Sequence, residues 1–146
     1  MIGLSVKFLF FSIGDGDFFN SFFYSIHHHL ERDSWGDTYP CVFGEFYLGH
    51  VAYDRLPILD KELKEIQERL KLFSPSQVVW DIEDSNKNPP WGNELSESIT
   101  DLSNYYVTSS GKDLFEVLFN AIEEAKKLRS DIKVRSTFQK SDLPTG

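Results

Sequence analysis

Ile2-Gly3-Leu4-Ser5-Val6-Lys7-Phe8-Leu9-Phe10-Phe11-Ser12-Ile13, broken by Gly14-Asp15-Gly16-Asp17 and followed by Phe18-Phe19-Asn20-Ser21-Phe22-Phe23, is the stretch that decides the fold class. Ile2, Leu4, Val6, Phe8 and Phe10 alternate with Gly3, Ser5 and Lys7, and period two with β-branched and aromatic residues predicts a strand over 2–13. The second face turns apolar at Leu9 and Phe11, which predicts burial on both sides and a central place in a sheet. After the glycines the period changes. Phe18, Phe19, Phe22, Phe23, Ile26 and Leu30 recur three and four apart, so a helix packed on the sheet is expected from an Asp17 N-cap to about Arg32.

Downstream, Ser34-Trp35-Gly36-Asp37 reads as a turn, Tyr39 to Leu48 as a short helix or a strand, and Val51 to Tyr53 as an extended piece. Leu59, Leu63, Ile66, Leu70 and Phe73 repeat at four and three, predicting an amphipathic helix begun near Asp60 and stopped by Ser74-Pro75. Gln77 to Glu83 alternates as a second strand, and Asp84 to Asn93, with Pro89-Pro90-Trp91-Gly92, must be loop because proline removes backbone donors. Asn104–Thr108 reads as a short strand and Ser110–Asp113 as the start of a helix to about Leu128. Ile132, Val134, Ser136 and Phe138 alternate in a last strand. The order predicts an α/β (α+β) two-layer sandwich: a mixed sheet of four to five strands and three helices, in one domain over 1–138 with a frayed tail at 139–146.

Composition bounds the function. The 146 residues carry a net charge of −8 and 13 Phe, too much apolar bulk for disorder, and the lone Cys41 excludes an internal disulfide framework. No apolar run approaches membrane-spanning length and no leader is read at the N-terminus, so a soluble intracellular protein is expected. The acidic balance argues against nucleic acid as the main ligand. Charge is uneven: residues 74–124 hold Lys87 and Lys112 against ten acids, whereas residues 125–146 hold six cations against two acids. The acidic middle serves either solubility or the steering of a basic partner.

Four constellations invite chemistry. His27-His28-His29 lack the convergence a metal needs, because consecutive helical side chains diverge by about 100°; a solvated helix end is the expectation. Gly14-Asp15-Gly16-Asp17 sits where a phosphate loop would, but its carboxylates oppose an anion, so a turn with a cap is expected. Asp81, Glu83 and Asp84, with Asp101, could form a carboxylate cluster for a divalent ion in a small hydrolase or nuclease, yet no cation stands beside them in sequence to serve as a partner. Cys41, in an apolar stretch, reads as a buried inert thiol. Trp80 reads as core. Trp91 is either a packed loop anchor or an exposed aromatic of the kind that anchors protein interfaces. No catalytic residue, cofactor or metal ligand is assigned.

Val78-Val79-Trp80-Asp81-Ile82-Glu83-Asp84, Pro89-Pro90-Trp91-Gly92-Asn93, Leu102-Ser103-Asn104-Tyr105-Tyr106-Val107-Thr108-Ser109 and Gly111-Lys112-Asp113-Leu114 together resemble the bacterial immunity protein 70 family. Ile13 to Phe18, Ser21-Phe22-Phe23 and Glu45-Phe46-Tyr47-Leu48-Gly49 are similar too, so the resemblance covers roughly residues 3–128 and departs around Trp35–Cys41 and in the basic tail. It implies a cytoplasmic antidote that binds the domain of a cognate polymorphic toxin, with no catalysis, nucleic acid or membrane involved. A non-catalytic scaffolding domain is the other non-enzymatic reading. Charge density and the unexplained tryptophans place the expected toxin-facing surface at Asp81, Glu83, Asp84, Trp91, Asp101 and Trp35.

Overall fold

The computed structural model describes residues 1–81, 83, 87, 89 and 96–136; the sequence expectations for Asp84, Trp91, Phe138 and the tail at 139–146 lie outside them. The N-terminal stretch is a hairpin, not one strand. β1 (Ile2–Val6) and β2 (Leu9–Gly14) pair antiparallel, with Leu4 opposite Phe11 and Val6 opposite Leu9. A turn at Lys7-Phe8, with Lys7 at φ 52°, reverses the chain. The reversal moves the inward positions from even to odd numbers, so the apolar Leu9 and Phe11 mark a change of direction rather than burial on two faces.

β3 (His50–Val51) and β4 (Ile132–Ser136) complete a four-stranded sheet in the order β2-β1-β4-β3. Every pairing is antiparallel, so the fold class stands as expected while the sheet is not mixed. α1 (Gly16–Leu30), α2 (Leu56–Leu70) and α3 (Leu114–Leu128) form a helical layer, with α3 laid across β1, β2 and β4, and α2 packed on α1 and α3. Asp15, not Asp17, caps α1 by accepting from the Phe18 amide at 2.9 Å. α3 begins just after the Ser110–Asp113 signal, but its cap is Asp113, which accepts from the Glu116 amide, and not Ser110 as a capping box would have it.

The core between the layers is aromatic. Phe22, fully buried, meets Phe23, Tyr106 and Phe115 edge-on at 5.3–5.6 Å between centroids. A buried ring of this size contributes roughly 2–3 kcal/mol by removal from water, and the edge-to-face geometry adds to that.

The stretch from Tyr39 to Leu48, open between helix and strand, is a π-helical turn at Val42–Phe46. Glu62 of α2 fixes its start, accepting from the Val42 amide at 2.9 Å and the Cys41 amide at 3.2 Å. The wider turn directs Phe43, Phe46 and Tyr47 at Phe23 of α1. Two expected strands are absent. Pro75–Gln77 is a 3₁₀ turn followed by non-strand chain through Asp81, and the segment 104–108 makes one bridge, Val107 to Asp113.

Candidate protein-binding face on helix α1

Residues 78–81 form no strand because hydroxyls of α1 take the place of a partner strand. Ser21 Oγ donates to the Val79 carbonyl at 2.8 Å, and the Val79 amide donates to Ser25 Oγ at 2.9 Å. Both serines are fully buried and also meet the Tyr106 hydroxyl, at 3.0 and 2.8 Å. Burial holds the Tyr106 phenol far above its ordinary titration range, so it stays a neutral hydrogen-bonding group. Small polar residues on a helix face otherwise given to phenylalanine were the sequence signal for this dock, and sequence reasoning passed over them.

The dock places Asp81 beside the outward side of α1. Asp17, Asn20 and Tyr24 of the helix, with Trp80, Asp81 and Lys87, line a cleft of about 110 Å³. Asp81 Oδ1 accepts from the Glu83 amide at 3.0 Å, and Lys87 Nζ lies 3.5 Å from Asp81 Oδ2. The expectation that no cation partners these acids is therefore corrected by Lys87, six residues on. Tyr24 has its phenol raised by burial first, then by Tyr47 and by the nearby charges of Asp81 and Glu83. A tyrosine felt by two carboxylates is the mark of acids gathered at one edge of an aromatic surface.

Trp35 continues that surface. It is 38% exposed and meets Phe43 at 4.6 Å, His27 at 4.9 Å, Tyr47 at 5.0 Å and Tyr24 at 6.3 Å between centroids. Its turn is built by Glu31, whose buried carboxylate accepts from the Gly36, Thr38 and Tyr39 amides, each at 2.9 Å. His27 Nδ1 lies 2.8 Å from the same carboxylate. Asp37 closes the turn from outside by accepting from the Asp33 amide, which draws its carboxyl below the usual range. Gly36 sits at φ 83°, where a side chain would be strained.

The histidines are not a solvated end. His27 serves Glu31, and His29 bonds the Gln77 carbonyl at 2.6 Å while its ring covers Phe73 at 4.4 Å; only His28 is exposed. Asp101 stands apart from Asp81. Its carboxylate accepts from the Ser103 amide at 2.8 Å, from the Ser103 hydroxyl and from Thr100 Oγ1. Burial opposes the charge of Asp101, but these donors prevail and hold the carboxyl below its ordinary value. It organises its own loop beside the end of α2, where the Leu102 amide reaches the Phe73 carbonyl.

The arrangement offers aromatic area bordered by acids. No three His, Cys, Asp or Glu side chains among the described residues are grouped to hold a metal ion. Cys41, the one thiol, is buried and pushed up to about 12 by burial and then by Glu45 and Glu62, as expected of an inert sulfur. No described helix is long and apolar enough to cross a membrane. The family model described as immunity protein 70 matches residues 4–134, including the Trp35–Cys41 stretch that sequence reasoning did not align. The chain belongs to the immunity protein 70 family. No curated protein and no solved structure matches it. Family membership makes it an immunity protein, and its partner is accordingly a toxin protein.

Proposed function

We propose that this immunity protein neutralises a cognate polymorphic toxin domain in the cytoplasm of the producing cell, by binding alone and without catalysis. The contact surface is the outward side of α1: Tyr24, Trp35 and Tyr47 as the aromatic centre, with Asp17, Asp81 and Glu83 as its charged border. Asp84 and Trp91 stay proposed toxin contacts on the sequence alone, while Asp101, occupied in its own turn, is a lesser contributor. The observation that carries the proposal is the continuous packing of Trp35, Tyr24 and Tyr47 beside Asp81 and Glu83. Rigid, partly exposed aromatics with a polar rim are what protein interfaces use as anchors. The acidic border would accelerate encounter with a basic toxin surface.

The test is affinity for the toxin encoded beside this gene, measured by calorimetry at low and at physiological salt. Combining Asp17→Lys, Asp81→Lys and Glu83→Lys should weaken binding at least tenfold at low salt, less so at high salt. Trp35→Ala should weaken it at both. Unchanged affinity in both variants rejects the surface; a toxin that neither binds the native chain nor is silenced by it in co-expression rejects the function.

A further inference from the structure

The face of the sheet turned away from the helices has opposite character. The pairings put Phe10, Ser5, Lys133 and His50 in one row across it, and Arg135 beside Gly3 in the next. Lys7, Arg129, Lys133 and Arg135 converge there with Ser5 and Ser130 around a cleft of about 380 Å³, a volume within the range of small-ligand sites. None of the four cations makes a side-chain hydrogen bond or ion pair among the described residues, in a chain with eight more acids than bases. The cleft's one carboxylate, Asp131, is engaged elsewhere: it bonds His50 Nε2 and the Tyr53 amide, each at 2.8 Å, though it also feels the charge of Lys133.

Lys7 and Arg129 are the described non-glycine residues with positive φ, each at 52°, and both line this cleft. Each value has a structural cause, the hairpin turn for Lys7 and the left-handed cap of α3 for Arg129, whose amide bonds the Ala125 and Lys126 carbonyls, and these two reversals set both cations at one cavity. Opposite Ser5 in the same row, Phe10 is 40% exposed and lies so closely over Gly3 that a Cβ there would come within 2.4 Å of its ring. Gly3 is thus the position that leaves room for the Phe10 ring on this face.

From this juxtaposition we infer a second site, independent of the toxin-facing surface, that takes a nucleoside 5′-phosphate unit, free or within a single strand. Lys7, Arg129, Lys133 and Arg135 hold the phosphate oxygens, Ser5 donates a hydroxyl hydrogen bond, and Phe10, opposite Ser5, receives the base by stacking. Cations beside exposed aromatics on an open sheet provide the two contacts that such ligands need, charge for the phosphate and a flat apolar face for the base.

Titration of the full chain with inorganic phosphate, a nucleoside 5′-diphosphate and a nine-residue oligo(U), followed by amide chemical shifts, tests the site. The diphosphate should bind at least tenfold more tightly than phosphate, with shifts confined to β1, β4 and the hairpin turn. Lys133→Glu with Arg135→Glu should abolish binding, and Lys7→Gln, a gentler change, should weaken it. Phe10→Ala should remove the advantage of the nucleotide over phosphate. Oligo(U) bound while the mononucleotide is not supports the site with a strand as its source. No saturable shift with any probe overturns the inference, as does binding that survives the double reversal or an equal response to polyglutamate. Asp17→Lys with Asp81→Lys should leave these titrations unchanged, which separates this site from the toxin-binding reading.

Discussion

The α1 face and the open sheet face differ in charge, and they differ as much in how they are held. Beside α1, two of the surface groups rest on buried polar supports: Trp35 on the turn gathered by Glu31, and Asp81 on the main chain fastened at Val79 to Ser21 and Ser25, which Tyr106 joins. On the sheet, the cations stand on regular strand register, on the hairpin turn and on the left-handed cap of α3, with no side-chain hydrogen bond or ion pair among the described residues. A surface made from loops needs internal hydrogen bonds to keep its shape, whereas a sheet supplies shape through its ladder.

The comparison can be broken most severely at Glu31. Glu31→Ala leaves the Gly36, Thr38 and Tyr39 amides without their acceptor, and should cost roughly 3–5 kcal/mol. Chemical denaturation measures the loss. Near-ultraviolet circular dichroism should show Trp35 released from its ring contacts while the amide shifts of β1 and β4 persist; disturbance of both faces alike would mean that they are not built separately. Tyr106→Phe is milder. It removes one hydroxyl from the Ser21–Ser25 network and should cost about 1–3 kcal/mol, with faster hydrogen exchange at the Val79 amide as the local sign. The smallest change sharpens the other side. Lys7→Gly relieves the positive φ and should raise stability by about 0.5–1 kcal/mol, in thermal unfolding, while weakening the nucleotide-phosphate response. A loss of stability there would deny that Lys7 is strained.

The fold class was legible because the long helices carry clear three-and-four spacing and the terminal strands alternate. The hairpin was not, since Lys7-Phe8 contains none of the residues that usually announce a tight turn, and alternation continued across it with its phase inverted. Val78 and Trp80 alternate like strand residues, yet side-chain pattern cannot tell a partner strand from helix hydroxyls that bond the same main chain. Of the expected site, Trp35, Asp81 and Glu83 are brought to one helix face. Asp101 is not, because its oxygens satisfy nearby amides and hydroxyls. Tyr24 and Tyr47 escaped notice for a related reason: aromatics at helical spacing read as core, and only the packing of Trp35 against them shows that they border solvent. The sheet cations are far apart in sequence, at 7, 129, 133 and 135, and only the β1–β4 pairing unites them.

The state of Cys41 has a practical consequence. With its thiol pushed up to about 12, Cys41 is held as the unreactive neutral thiol at neutral pH. The residue is also fully buried, at the start of the turn whose amides Glu62 holds. An alkylating reagent or an oxidant can thus reach it only when the π-helical turn parts from α2. The single cysteine is a built-in clock for that opening, and its labelling rate in the native protein counts how often the interior is breached.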